Sequence, residues 1–175
     1  MTIEICKLHE VMEKMDKNVL SSFLSEFRCS RSRDSEHFLR KTALKHEARD
    51  ISRTYLAIDL EKNIISGYFT LAFKCLNVKD IGMDAHLTEM MNVRDDVAQS
   101  YLIGQLARSD DAERGSGRIM LDEALRMFFK GKGMFGCRTV RLDCRDELVD
   151  YYISRGFQPI GKNADLDLNQ MAKFI

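Results

Sequence analysis

The stretch that decides the fold is residues 100–118, which read SYLIGQLARSDDAERGSGR. It begins with an apolar run, residues 100–107, whose length and composition are typical of a buried strand. A charged loop follows, and the glycine turn GSG at residues 115–117 then leads into a segment with apolar residues every three to four positions. The stretch therefore predicts a strand, a glycine turn and an amphipathic helix. The apolar positions of that helix are Met120, Leu121, Ala124, Leu125 and Phe128.

A glycine turn at the start of a helix can bind a phosphate. The first N–H groups of a helix have no partner within it, and the helix dipole places partial positive charge at the same end. Glycines also let a ligand approach the backbone closely. Arg114 and Arg118 flank the turn and can add charge-assisted hydrogen bonds. The alternative is that Gly115 and Gly117 only form a tight turn, and the spacing alone does not decide between the two.

The patterns on either side of this unit predict a mixed sheet with helices on both faces. Alternating and helical spacings upstream indicate a strand at 3–8, helices at 11–27 and 38–46, and a hairpin of strands 53–60 and 64–75. Downstream they indicate strands at 137–144, 156–160 and 170–175, with a short helix at 147–154. Residues 77–99 are the least regular, with a short helix near 87–93. The whole chain, 1–175, is predicted to be a single domain.

A second glycine-rich segment lies at residues 131–136, GKGMFG, and matches the letters of a dinucleotide-binding turn. It follows a helix and precedes a strand, which is the reverse of the order that such a site requires. We therefore interpret it as a loop in which Gly131 and Gly133 end the preceding helix.

The composition is that of an ordinary soluble domain. Lys and Arg number 27 and so do Asp and Glu, which argues against binding nucleic acid by bulk charge. Neither the five cysteines, which have no CxxC spacing, nor the four scattered histidines indicate a metal site. The absence of a signal-peptide core and of a membrane-length apolar run predicts a cytoplasmic protein with no membrane contact. One basic cluster, ordinarily a solvated face, comprises Arg28, Arg31, Arg33, Arg40, Lys41 and Lys45.

The order of elements and the sequence AERGSG at 112–117 resemble the GCN5-related N-acetyltransferase (GNAT) family. Its signature is a central strand followed by Gln/Arg-x-x-Gly-x-Gly/Ala at the start of a helix, where main-chain amides hold the pyrophosphate of coenzyme A. Both glycines match, and Ala112 stands where the family usually has Gln or Arg. The resemblance implies a GNAT fold of six to seven strands and about four helices, acetyl-CoA as co-substrate and no metal. The residues it implies for coenzyme binding are Leu106, Ala107, Arg108, Arg114, Gly115, Ser116, Gly117 and Arg118.

The segment YYISRGF at 151–157 is similar to the Phe-Tyr-x-x-x-Gly-Phe segment of the same family. The resemblance implies that Tyr152 protonates the leaving thiolate and that the N–H of Leu106 polarises the thioester carbonyl. The alternative for Tyr152 is that it packs the helix against the sheet. The general base is left open, with three candidates: Glu89, Asp143 and Glu147.

Segments of the N-terminal half are similar to a branch of the family that includes acetyltransferase toxins and phage and Gram-positive relatives. They are FRC at 27–29, FL at 38–39, RTYL at 53–56, GYFTL at 67–71 and, in the central strand, YLIGQLA at 101–107. The toxins usually have Arg at the position of Gln105.

The resemblance implies direct transfer of an acetyl group to an amine of an unidentified acceptor, which can be a small molecule, a peptide or aminoacyl-tRNA. One alternative is a toxin that acetylates aminoacyl-tRNA, in which the basic cluster meets the tRNA phosphates. Another is a degenerate member that binds coenzyme A or a partner without catalysis. Whether the protein forms a homodimer is left open.

Overall fold

Seven strands form a mixed, mostly antiparallel sheet in this computed structural model, which describes residues 2–79, 83, 85–163 and 166–175. The strand order is β1-β2-β3-β4-β5-β7-β6, so the last strand lies between the fifth and the sixth. The predicted mixed sheet is confirmed. The bounds are β1 Ile3–Lys7, β2 Arg53–Asp59, β3 Ile64–Asn77, β4 Val97–Arg108, β5 Thr139–Cys144, β6 Gln158–Asn163 and β7 Leu168–Phe174.

The helices in the described ranges are more numerous than the four or so expected: there are seven α-helices, or six when α3 and α4 are counted as one run. The helix predicted over 11–27 is two helices, because the Asp16 carboxylate accepts from the N–H groups of Asn18 (2.8 Å) and Val19 (3.3 Å) and so caps a new helix. A π turn, Phe38–Thr42, joins α3 and α4 into one run. The bounds are α1 Leu8–Lys14, α2 Lys17–Ser25, α3 Arg33–His37, α4 Ala43–Ala48, α5 Ala85–Met90, α6 Ser116–Phe135 and α7 Val149–Ile153.

The chain divides into two compact units, and each is described by itself. The first comprises Met1–Ala72 and Gln105–Ala124, and the second comprises Phe73–Gly104 and Leu125–Ile175. None of the helices in the described ranges is long and apolar enough to cross a membrane.

In the first unit, helices cover both faces of the strands. Tyr68 on β3 is fully buried in a cluster with Leu20 of α2, Phe27 of the loop after α2 and Leu39 of the π turn. Its neighbour Gly67 faces the other way. A Cβ at Gly67 would lie 2.6 Å from Met120 of α6 and from the carbonyl oxygen of Ala107, so this glycine is what lets α6 lie close against the sheet.

In the second unit, Tyr101 of β4 organises the packing of the last turns of α6. Its ring lies 4.7 Å from that of Phe73 and 4.6 Å from that of Phe128, centroid to centroid, and its hydroxyl donates to the Gly136 carbonyl (2.7 Å). The expectation that Gly131 and Gly133 end α6 is wrong, since the helix continues to Phe135. A Cβ at Gly131 would lie 3.1 Å from the Tyr101 hydroxyl oxygen, so this glycine serves close packing and not termination.

Candidate functional site

The predicted coenzyme-binding residues lie on one continuous stretch of the first unit, from the end of β4 to the first turn of α6. The parallel ladder of β4 with β5 joins Tyr101–Ile103 to residues 140–142, and residues 104–108 extend beyond it. Of the three predicted residues on this extension, Ala107 is buried, while Leu106 and Arg108 are half-buried. The candidate site is therefore built on the free end of the central strand and the turn that follows it.

Gly115 makes the turn into α6. Its φ of +95° lies in the left-handed region, where only glycine is unstrained. Its carbonyl accepts from the N–H groups of Arg118 (3.0 Å) and Ile119 (3.2 Å), so it is the last residue before the helix. The hydroxyl of the buried Ser116 donates to the Glu113 carbonyl at 2.9 Å. The backbone conformation thus explains the glycine at 115, and the Ser116 hydroxyl is used within the turn.

Gly117 has no such explanation. It lies in the first turn of α6, its φ is not positive, and a Cβ built on it meets no atom within 4 Å. Among the described residues, its N–H has no hydrogen-bond acceptor. Neither the turn nor the packing of this unit therefore requires glycine at 117. The tight-turn alternative accounts for Gly115 and leaves Gly117 as an open position with an unpaired donor at the positive end of a long helix.

The acidic residues of the loop are held by other side chains of the same unit. The Asp110 carboxylate accepts from the Ser30 N–H (2.9 Å) and hydroxyl (2.9 Å), and these hydrogen bonds lower its pKa. Glu113 pairs with Lys62 at 3.0 Å. The partners of these two acids are 80 and 51 residues away in sequence, so local pattern could not have indicated them.

The arginines around the turn are less engaged. Arg114 is exposed, and neither it nor Arg108 makes a hydrogen bond or an ion pair within the described ranges. Arg118 pairs with Asp122 one turn later at 3.4 Å, and both side chains are more than half exposed. Such an exposed pair is weak and can exchange for an incoming anion. The open end of α6 therefore has guanidinium groups that are free to contact a phosphate.

A polar network on β4 was missed by the sequence reasoning. The Gln105 amide oxygen accepts from the Ser35 hydroxyl at 2.8 Å, and the Tyr68 hydroxyl donates to the Ser35 carbonyl at 2.7 Å. Burial raises the pKa of Tyr68, which keeps it a donor. A neutral amide thus lies here where the toxins usually have Arg. Gln105 and Ser35 are 70 residues apart, so no sequence signal could have joined them.

In the second unit, Tyr152 lies on the short helix α7 and is 6% exposed. Its ring packs edge-on against those of Tyr151 (5.2 Å) and Phe157 (5.7 Å). Burial raises its pKa, so the phenol stays protonated at neutral pH. Within the described chain its hydroxyl has no hydrogen-bond partner. The ring therefore does pack, as the alternative predicted, while the hydroxyl proton is available.

The three candidates for a general base all belong to the second unit. Asp143 accepts from the Asn163 side-chain amide at 3.1 Å, and Glu89 and Glu147 are exposed. These contacts do not favour any one of them as the base.

Solved structures match the chain over nearly its whole length. AtaT complexed with acetyl-methionyl-tRNAfMet matches 99% of this chain and 95% of its own, with 18% identity and a TM-score of 0.76. A tyrosine-to-phenylalanine mutant of KacT matches 98% of this chain and 95% of its own, with 16% identity and a TM-score of 0.75. A bacterial toxin matches 99% of this chain and 91% of its own, with 13% identity and a TM-score of 0.77.

A tyrosine-to-phenylalanine mutant of AtaT has also been solved with acetyl-CoA and the C-terminus of the antitoxin AtaR. No protein-family model matches the chain, and no curated protein matches its sequence. At such low identity the likeness is one of fold. The chain therefore has the GNAT fold, in the form found in the acetyltransferase toxins AtaT and KacT.

Proposed function

We propose that the protein transfers an acetyl group from acetyl-CoA to the α-amino group of an aminoacyl-tRNA. The observation that carries the proposal is the open start of α6, where Gly117 presents an unpaired N–H in a chain with the fold of AtaT and KacT. AtaT has been solved with acetyl-CoA and with acetyl-methionyl-tRNAfMet, which supports both the donor and the class of acceptor. We therefore propose an aminoacyl-tRNA as the acceptor, in place of amines in general.

The first unit supplies the groups for the pyrophosphate. The N–H of Gly117 and the helix dipole attract an anion, and the missing side chain leaves room for it to reach the backbone. Arg114 and Arg118 add charge-assisted hydrogen bonds from the flanks. Lys62 pairs with Glu113, and the Arg31 guanidinium lies 3.9 Å from the Asp110 carboxylate, so the negative charge of the loop is partly compensated before the coenzyme arrives.

The reaction forms one bond and breaks one. The amine nitrogen attacks the thioester carbon, the N–C bond forms, the C–S bond breaks, and coenzyme A leaves as a thiolate. The N–H of Leu106, on the free end of β4, polarises the carbonyl oxygen. Tyr152 holds its proton at neutral pH, donates it to the sulfur as the C–S bond breaks, and regains a proton from solvent, which has taken the one released by the amine.

An aminoacyl-tRNA acceptor also makes the reaction less dependent on a general base. An α-amino group has a pKa of about 8, whereas a lysine amine has one of about 10.4. A substantial fraction of the aminoacyl amine is therefore unprotonated at neutral pH, and water can take the proton released after attack. This fits a site in which none of the three carboxylate candidates is distinguished by its contacts.

The test is incubation of the protein with charged tRNA and labelled acetyl-CoA, followed by hydrolysis of the ester and identification of the labelled amino acid. We expect N-acetyl amino acid, and no labelling of lysine peptides under the same conditions. Labelled peptide or small amine, with unlabelled aminoacyl groups, would support general amine transfer instead. Acetyl-CoA binding without turnover on any of these amines would support the non-catalytic alternative.

Tyr152→Phe tests the proton donor. General acid catalysis contributes about 10²- to 10⁴-fold, so we expect kcat to fall by that order. The affinity for acetyl-CoA and the melting temperature should change little, since the lost hydroxyl has no partner in the described chain. Tyr151→Phe is the matched control and should keep wild-type turnover. Wild-type turnover in Tyr152→Phe would remove this residue from the mechanism.

A further inference from the structure

The side-chain amide of Gln105 is held in one orientation by its neighbours in the first unit. Its oxygen accepts from the Ser35 hydroxyl at 2.8 Å, and the Tyr68 hydroxyl lies 3.5 Å from the same oxygen. Ser35 is itself held at two points. Its carbonyl accepts from the Tyr68 hydroxyl at 2.7 Å, and its hydroxyl lies 2.9 Å from that of Ser32. The amide oxygen is therefore used inside the protein.

The groups that hold this amide are buried. Ser35 and Tyr68 are both buried, and the Tyr68 ring packs edge-on against Phe27 (5.4 Å) and in a stack with Phe38 (6.1 Å). A hydrogen bond away from water is electrostatically stronger than one in solvent, and closely packed rings do not rearrange easily. The orientation of the Gln105 amide is therefore fixed before any ligand arrives.

The nitrogen of the same amide is unused. Nε2 of a glutamine carries two N–H donors, and that of Gln105 donates to no acceptor in the part of the chain that the structure describes. Gln105 is half-buried, and its nitrogen is not one of the described polar atoms that are both buried and unpaired, so the nitrogen reaches the surface. Gln105 thus presents oriented donors to a ligand.

These donors lie beside the place to which we assign acetyl transfer. Gln105 directly precedes Leu106 on the part of β4 that extends beyond its ladder with β5. Side chains alternate along a strand, so Gln105 and Ala107 face one side and Leu106 faces the other. Ala107 belongs to the same buried cluster as Tyr68. The Gln105 amide is therefore on the helix-covered side of the strand, where it leaves the main chain of Leu106 free for the thioester.

Free amide donors are suited to a carbonyl oxygen. In an aminoacyl ester, the carbonyl carbon is bonded to the carbon that carries the reacting amine, so the two groups are close together. A lysine side chain or an alkyl amine has no carbonyl at that place. A donor that holds this carbonyl beside the thioester also directs the amine toward it. An amine without the carbonyl leaves the donors unpaired, which disfavours its binding.

We propose that Gln105 binds the ester carbonyl of the aminoacyl group and so selects α-aminoacyl acceptors over other amines. That the acceptor is an aminoacyl-tRNA rests on the proposed function. The ester carbonyl is common to all amino acids, so Gln105 selects the class of acceptor and not one amino acid. Its role is to hold the acceptor, and it takes no proton from it.

The same contacts distinguish Gln105 from the arginine that the toxins usually have here. A guanidinium has five donors and no acceptor, so an arginine could not accept from the Ser35 hydroxyl. Glutamine uses its oxygen inside the protein and leaves its nitrogen for the substrate. The competing explanation is that Gln105 only braces α3 against β4.

Gln105→Glu separates the two explanations. One carboxylate oxygen can still accept from Ser35, so the brace is kept, while the free donor is replaced by an oxygen that repels a carbonyl. Gln105→Met is a second variant, which removes the donors without adding charge. Ser35→Ala does the reverse, since it removes the brace and leaves the donors. The matched control is Gln99→Glu, the same change at the exposed start of β4.

Binding is measured with coenzyme A present, which has no acetyl group and so permits no transfer. Bulk tRNA charged with the full set of amino acids is compared with the same tRNA after deacylation, which lacks the ester carbonyl. We expect wild type to prefer charged tRNA by at least the value of one hydrogen bond, roughly 2- to 10-fold in affinity. This ratio should fall by that factor in both Gln105 variants and stay at the wild-type value in Gln99→Glu.

Stability and turnover complete the test. We expect the Tm of Gln105→Glu and its affinity for acetyl-CoA to match wild type, and kcat/KM for charged tRNA to fall at least as far as the binding ratio. Ser35→Ala should lower the Tm and keep more of the preference for charged tRNA than Gln105→Glu does.

Three results would overturn the inference. The first is a wild-type ratio in both Gln105 variants. The second is faster acetylation by Gln105→Glu, which would mean that this position accepts from the amine. The third is an equal loss of ratio and of Tm in Ser35→Ala and Gln105→Glu, which would assign Gln105 to bracing alone.

Failure of this inference is distinguishable from failure of the proposed function. If wild type prefers charged tRNA through Gln105 and never acetylates it, the proposed function fails and the Gln105 contact stands. If wild type acetylates charged tRNA and Gln105→Met does so with the same kcat/KM, the Gln105 contact fails and the proposed function stands.

Discussion

The two ends of α6 have glycines with the same spacing and different physical reasons for them. Gly115 and Gly117 precede and open the helix, and Gly131 and Gly133 lie in its last turns. At the N-terminal end a Cβ on Gly117 meets nothing within 4 Å, whereas at the C-terminal end a Cβ on Gly131 lies 3.1 Å from the Tyr101 hydroxyl. The chain itself explains Gly115, by its positive φ, and Gly131, by its contact with Tyr101. Gly117 and Gly133 are both open positions, and of these two only Gly117 lies at the end of the helix that attracts an anion.

The two ends of α6 also differ in their electrostatics. Unpaired N–H groups and partial positive charge favour an anion at the start of a helix, and unpaired carbonyls disfavour one at its end. At the C-terminal end, the Gly136 carbonyl accepts from Tyr101 and its N–H donates to the Lys132 carbonyl. A glycine pattern therefore indicates a phosphate site only when its position on the helix is known.

Of the substitutions at the two ends of α6, Gly117→Leu should have the largest effect, which is a loss of affinity for acetyl-CoA. A Cβ at this position meets no described atom within 4 Å, so the melting temperature should stay the same or rise slightly through better helix propensity. The leucine side chain would occupy the space in which a phosphate reaches the backbone. Loss of a charge-assisted hydrogen bond is about 1.5–3 kcal/mol, which is roughly a 10- to 100-fold weaker affinity for acetyl-CoA by calorimetry.

Gly133→Leu is the matched control for that experiment. It is also a helical glycine with no atom within 4 Å of a built Cβ, at the opposite end of the same helix. Acetyl-CoA affinity should be that of the wild type. Equal affinities in Gly117→Leu and wild type would mean that the open start of α6 does not hold the coenzyme.

Helices and strands could be predicted from the sequence where a local pattern determines them. The predictions failed where a contact with a distant residue determines where an element begins or ends. The strand before the glycine turn and the amphipathic helix after it are where the spacing of apolar residues put them. The end of α6 was misplaced because the cause is Tyr101, a residue 30 positions away on another element. The break at Asp16 was missed because an Asp inside a helical pattern and an Asp that caps a new helix look alike in sequence.

The candidate site follows the same rule. The glycines and arginines of the turn could be found because they are consecutive in sequence. The contacts that control the charge around them could not, since Asp110 is held by Ser30 and Glu113 by Lys62 across large sequence separations. The basic cluster was visible as composition, but the structure separates its members: Arg33, Lys41 and Lys45 are exposed, whereas Arg40 is half-buried and pairs with Glu36.

The second prediction concerns the C-terminal end of α6. Gly131→Val places a branched side chain against Tyr101, whose ring is packed between two others and whose hydroxyl is hydrogen-bonded. Overpacking of this kind lowers the free energy of unfolding by about 1–3 kcal/mol, which is a fall in Tm of several degrees for a chain of this length. Acetyl-CoA affinity at 25 °C should not change.

Thermal unfolding of Gly131→Val is compared with that of Gly133→Val, which carries the same substitution into open space. A fall in Tm of equal size in both variants would assign the effect to the valine in a helix and not to Tyr101. Weaker acetyl-CoA binding in Gly131→Val, with the fold intact, would show that the two ends of α6 are not independent.

The smallest effect should come from the ion pair beside the turn. Lys62→Gln frees the Glu113 carboxylate, whose negative charge then opposes a phosphate at the start of α6, while Glu113→Gln removes that charge. Both side chains of the pair are nearly half exposed, so the pair itself adds little to stability and the Tm should hardly move. We expect acetyl-CoA to bind roughly 2- to 3-fold more weakly to Lys62→Gln and more tightly to Glu113→Gln, at low salt.

The combination Lys62→Gln/Glu113→Gln decides what the lysine does. If its role is to neutralise Glu113, the double variant should bind acetyl-CoA about as well as wild type, and the effect of Lys62→Gln should shrink as salt rises. If Lys62 contacts the coenzyme itself, the double variant stays as weak as Lys62→Gln. In the first case the negative charge of Glu113 is tolerated beside the turn because Lys62 compensates it.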